Sequence, residues 1–173
     1  MEYEEPSGDE YTRDGQLIYG SATNSDNTYQ FCLITNQDEE DDFHTWEEVS
    51  DKQYILAAYD VHQKTLVDSI EYQPLNRHDS SQGWHCVACT GNKDETTLVV
   101  SQLSDFKAFR FMNRKFQRAE IQCEQLLRVG YEGMPIRKLK ITKDEKGDKY
   151  HMQVTRMITL SEPLVRTFDV DIA

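Results

Sequence analysis

Long apolar stretches are missing from this chain of 173 residues: nowhere do 18 hydrophobic residues run together, which excludes a transmembrane helix. The opening Met1-Glu2-Tyr3-Glu4-Glu5 is acidic and has no apolar core, so no secretory signal is expected, and no Asn-x-Ser/Thr sequon occurs. Four cysteines in such a chain read as reduced thiols rather than disulfides. The patterns G-x-x-x-x-G-K-[ST], G-x-G-x-x-G and G-x-S-x-G are all absent, so nucleotide hydrolysis, dinucleotide binding and a serine elbow have no motif behind them. His44, His62, His78, His85 and His151 are scattered outside any nucleophile or metal motif. The reading is therefore of a non-enzymatic, intracellular protein with no cofactor.

Cations are scarce overall, 19 against 31 carboxylates, for a net charge of −12. They are also unevenly placed. Residues 1–105 hold 5 basic and 22 acidic side chains (−17), whereas residues 106–173 hold 14 and 9 (+5). Sign asymmetry of this kind bears on binding more than the global charge does. Residues 1–14 form an aperiodic acidic stretch expected to be a disordered tail. Asp38–Asp42 are five consecutive carboxylates, placing an acidic loop over 37–42 within a single β-rich domain spanning 15–173. The spaced ligands and central glycine of a calcium loop are missing from that run.

Strand periodicity dominates. Gln16–Ala22 with Thr28–Thr35, Gln53–Asp60 with Thr65–Gln73, and Trp84–Thr90 with Thr96–Leu103 read as three hairpins separated by turn residues. Tyr29, Phe31 and Leu33 alternate with Cys32 and Ile34, so both faces of that strand are apolar. Leu66, Ile70 and Tyr72 share one parity. Phe106, Phe109, Met112 and Phe116 instead fall at helical spacing, and Ser104 or Asp105 could cap a short amphipathic helix near 104–117. Alternation resumes with Ile121 and Cys123, then Leu139 and Ile141, Tyr150, Met152 and Val154, and finally Phe168, Val170 and Ile172. The expected fold is mainly β: an antiparallel barrel or sandwich with one short helix.

Hairpins, one helix and further strands over residues 53–142 resemble the order of elements in the oligonucleotide/oligosaccharide-binding (OB) fold. Size, acidity and strand content together resemble the telomere-capping subunits of insects. That likeness implies a nuclear, chromosome-end assembly with other protein subunits, among them an OB-fold partner.

The strongest local feature is the acid-free segment 106–118. Lys107, Arg110, Arg114, Lys115 and Arg118 could neutralise phosphates or an acidic protein while Phe111 stacks on a base. Arg137, Lys138 and Lys140 extend the patch. No base-edge reader accompanies it, so single-stranded DNA would be bound without strong sequence preference. Trp46, next to the acidic run, is a candidate anchor for a protein partner. The single C-x-x-C, Cys86 and Cys89, lacks the second ligand pair of a structural zinc site, and on a continuous strand its thiols diverge. The competing function is a carrier that holds a small apolar ligand among its many aromatics. No membrane contact is expected.

Overall fold

A computed structural model of the chain describes residues 12–13, 16–38, 54–72, 85–102, 105–123, 136–159 and 161–173. Thirteen strands and no helix occur among the described residues. The expected tail 1–14 lies outside them except for Thr12–Arg13, and the acidic loop 37–42 except for the end of one strand.

The first sheet has the order β1 (Thr12–Arg13), β2 (Gln16–Thr23), β3 (Tyr29–Asp38), β4 (Tyr54–Asp60) and β5 (Thr65–Tyr72), each antiparallel to its neighbour. Asn24 closes the β2–β3 turn because its side-chain oxygen accepts the amides of Thr28 and Tyr29 at 2.9 and 3.1 Å. The expected parity of β5 breaks at a register shift opposite Ala58/Tyr59. Val67 and Ile70 turn toward the core and Leu66 is left 58% exposed, because a bulge reverses the faces on either side of it.

The second sheet is a meander of β6 (His85–Gly91), β7 (Glu95–Gln102), β8 (Asp105–Met112) and β9 (Lys115–Ala119). The third is ordered β10 (Ile121–Gln122), β13 (Glu162–Ile172), β12 (Tyr150–Thr159) and β11 (Ile136–Lys143). In β11 and β12 the residues that alternation selects are buried, Leu139 and Ile141, then Tyr150, Met152 and Val154, and Ile136 and Arg156 are buried with them.

The segment expected to be a helix is the β8–β9 hairpin. Asn113 and Arg114, at φ 52° and 62°, make the two-residue turn whose left-handed backbone suits a twisted hairpin. A strand buried on both faces needs apolar groups at both parities, and that pattern imitates a helical stripe. Phe106 and Ala108 pack toward the third sheet, while Phe109, Phe111 and Phe116 pack toward the first. Phe111 meets Tyr29, Phe31 and Phe116 edge-on at ring separations of 4.9, 5.3 and 5.0 Å. Such pairs each add about 0.5–1.5 kcal/mol to area burial. A helix would present only one of these two aromatic faces to the core.

The second sheet is thus the middle layer of three. Leu98 and Val100 face the first sheet and Val99 the third, and the Thr97 and Tyr150 hydroxyls meet at 3.1 Å in the second interface. Among the described residues no ladder closes these sheets into a barrel, one of the two expected architectures. Where β5 meets β9, the Phe116 amide donates to Asp68 Oδ2 at 2.8 Å and Arg118 Nη2 to the Glu71 carbonyl at 3.1 Å. Side chains occupy the groups a closing ladder would use. Where β2 meets β6, Gly20 brings the backbones together, since a Cβ there would lie 3.2 Å from the His85 carbonyl.

Candidate functional site

The β8–β9 pleat sends the expected binding cations to different faces. Lys107 and Arg118 share the parity of Phe109, and Arg110 and Lys115 the opposite one. Arg110 is half-buried, donating through Nη2 to the Ile172 carbonyl at 2.6 Å, with Nε 3.5 Å from Glu95. Arg114 lies 3.7 Å from Asp60, donates to the Tyr29 hydroxyl at 3.4 Å and sits 6.0 Å over that ring. Arg110 and Arg114 are therefore matched with carboxylates from the acidic front half. Lys115 is exposed at the turn. Phe111 is 1% exposed, so it is a core side chain and has no surface to offer a base. Trp46 lies outside the described residues.

β11 keeps its charge free. Its register shifts between Ile136 and Lys138, making Arg137 the extra residue of a bulge, so Arg137 and Lys138 are both exposed. Lys140 follows at alternate spacing, while Ile136, Leu139 and Ile141 anchor the strand from beneath. Among the described residues none of Arg137, Lys138 and Lys140 contacts a carboxylate. Beside Lys138 and Lys140, β12 sets Thr155 and Gln153, and β13 adds Val165 and Thr167. This face is cationic and hydrogen-bonding but supplies no aromatic platform.

At one end of the molecule the hairpin turns converge around a cleft of about 490 Å³ lined by Tyr29, Asp60, His62, Lys93, Asp94 and Arg114. The Ser25 amide and hydroxyl both donate to the Gly91 carbonyl, at 2.9 and 2.6 Å, and Asp26 accepts the Lys93 amide at 2.9 Å. The Thr28 hydroxyl beside Asp26, and the Gln63 amide beside Asp60, hold both carboxyls below the usual range. The Asn, Asp and Gly clusters in the sequence mark each turn, but nothing in them says that the turns meet. Charges of both signs line the cleft, which gives no preference for a cation or an anion.

Cys86 packs toward the third sheet and Cys89 toward the first, so the C-x-x-C thiols diverge. Burial pushes the Cys89 thiol up to about 12, far from a reactive thiolate. No helix among the described residues is long and apolar enough to cross a membrane. Compared with family models, characterised proteins and solved structures, the chain matches none.

Proposed function

We propose that this chain is a non-enzymatic β-sandwich adaptor that docks an acidic protein partner on the exposed strip formed by Arg137, Lys138 and Lys140. The observation that carries the reading is the contrast in charge pairing. Arg110 and Arg114 are matched within the molecule, whereas Arg137, Lys138 and Lys140 contact no carboxylate among the described residues and stand on a hydrogen-bonding surface. A buried Phe111 and the lack of an aromatic beside the strip among the described residues favour a protein over single-stranded nucleic acid, where stacking contributes about 1–3 kcal/mol per base. Membership of a nuclear, multi-protein assembly of the telomere-capping kind belongs to the same proposal and rests on size, acidity and strand content. The rival reading, an apolar carrier, loses support because Phe31, Phe109 and Phe111 fill the space between the first and second sheets.

Affinity purification from nuclear extract at moderate salt, with and without nuclease, tests this. The triple variant Arg137→Glu/Lys138→Glu/Lys140→Glu should lose its partners and keep its fold, and nuclease should leave capture by the unaltered chain intact. Capture that nuclease abolishes would instead mark the strip as a phosphate-binding surface, as would affinity for single-stranded DNA falling with a log–log salt slope near −0.7 per phosphate contacted.

A further inference from the structure

The third sheet has two edges, and they are built differently. β11 carries a bulge and cations, devices that discourage pairing with another strand. β13 keeps a regular register with β12 from Pro163 to Val170, with Pro163 at its start and a single cation, Arg166, on the face of Phe168. Residues Glu162 to Val170 pair with β12 on one side, and among the described residues β10 covers only Asp171 and Ile172 on the other.

The direction of the outward groups follows from one backbone pair. Glu120 and Ala173 exchange both backbone hydrogen bonds, at 3.1 and 2.9 Å. A residue in such a pair points its amide and carbonyl at that neighbour, and the direction alternates along an antiparallel strand. Counting back from Ala173, residues Asp169, Thr167 and Val165 face outward past the end of β10, while Phe168, Arg166 and Leu164 bond to β12. Among the described residues no strand meets those three amides and carbonyls. Around them, Val165 is 44% exposed and Ile158 49%, with Pro163 exposed beside them. At the other end Asp171 and Glu120 are exposed carboxylates, and Asp169 is shared with His151 at 2.6 Å.

We infer that the outward edge of β13, from Val165 to Asp169, receives an extended strand of a protein partner, antiparallel, with basic residues in its N-terminal half and apolar ones in its C-terminal half. Only a strand satisfies a row of alternating donors and acceptors, which is the logic of β-strand addition. The antiparallel direction sets the partner's basic half against Asp171 and Glu120 and its apolar half against Leu164, Val165 and Ile158. The edge shares Val165 and Thr167 with the face of the β11 strip, but it binds through backbone groups that the Arg137/Lys138/Lys140 triple variant leaves in place, so either reading can fail alone.

Hydrogen exchange of the full chain by NMR tests the inference, using as probe the capped peptide Lys-Thr-Lys-Thr-Lys-Thr-Val-Thr-Val-Thr. In the free chain the Val165, Thr167 and Asp169 amides should exchange on the order of a hundredfold faster than those of Arg166, Phe168 and Val170. The peptide should slow the first set. Thr167→Pro removes an amide that makes no bond to β12, so the ladder survives while peptide affinity falls about tenfold; Thr167→Val should leave affinity unchanged. Should the proline variant not fold, the exchange pattern of the unaltered chain decides. Slow exchange of all six amides in the free chain would overturn the inference, because the edge would then be covered from within. Slowing that depends on protein concentration alone would assign the edge to a second copy, and equal binding of a glutamate-for-lysine peptide would remove the charge selection.

Discussion

His151 lies between two carboxylates, Nδ1 at 2.6 Å from Asp169 and Nε2 at 2.9 Å from Asp144. Both ring nitrogens can donate only when the imidazole is protonated, so Asp144 first and Asp169 second raise its pKa above the usual value. A group whose folded pKa is raised stabilises fully below its unfolded pKa, and that contribution disappears as pH rises through the folded pKa. Stability should therefore fall upward from about pH 6.5, and His151→Asn should flatten this stretch of the profile of denaturation midpoint against pH. An NMR titration midpoint for His151 at or below that of an unfolded peptide would contradict this. Gly91 is the other single position with a clear consequence. Its φ is +123°, and a Cβ there would collide with the Glu95 carbonyl oxygen. Gly91→Ala should lower unfolding free energy by about 3 kcal/mol, combining backbone strain with displacement of the turn that holds Ser25. Urea denaturation measures it.

At the scale of elements, β8 distinguishes surface chemistry from core packing. Phe111→Ala should cost about 3–5 kcal/mol in chemical denaturation, as the cavity opens among Tyr29, Phe31 and Phe116. Leu66→Thr, at a position the bulge turns outward, should change stability by less than about 0.5 kcal/mol. The hairpins β2–β3, β4–β5 and β6–β7 were legible because polar turn residues separate segments of alternating character. β8 was not, because Phe106, Phe109 and Met112 alternate between its two faces yet fall at spacings of three, the period of a helix. The side of β5 that carries Leu66 was not legible either. A one-residue bulge leaves no composition signature yet exchanges the faces beyond it.

For the molecule as a whole, the charge split between the two halves is in part an internal matter. Glu95 and Asp60 in the front half meet Arg110 and Arg114 in the back half, and Arg118 is held by the Glu71 carbonyl. Arg110→Ala should reduce stability by about 1–2 kcal/mol, through the lost hydrogen bond to the Ile172 carbonyl, and leave partner capture unchanged. A calorimetric melt paired with the capture assay separates this from the β11 triple variant, for which the opposite pattern is expected. The candidate strip was thus visible in the sequence as a cluster of cations. Which of them remain available was not, because their partners lie far away along the chain.

What the sequence determined by itself is local: strand-forming segments, the turn residues between them, and the inward face of strands with one apolar side. Each of these depends on neighbours within a few residues. Only the tertiary structure decided that β6–β9 form a middle layer, that Phe111 is core, that the hairpin turns meet at one end, and that among the described residues Arg137, Lys138 and Lys140 meet no carboxylate and Val165 to Asp169 meet no second strand. Alternation records that a face is buried but carries no address for the sheet that covers it. That address is set by long-range packing, which requires both faces of the middle sheet to find apolar partners at once.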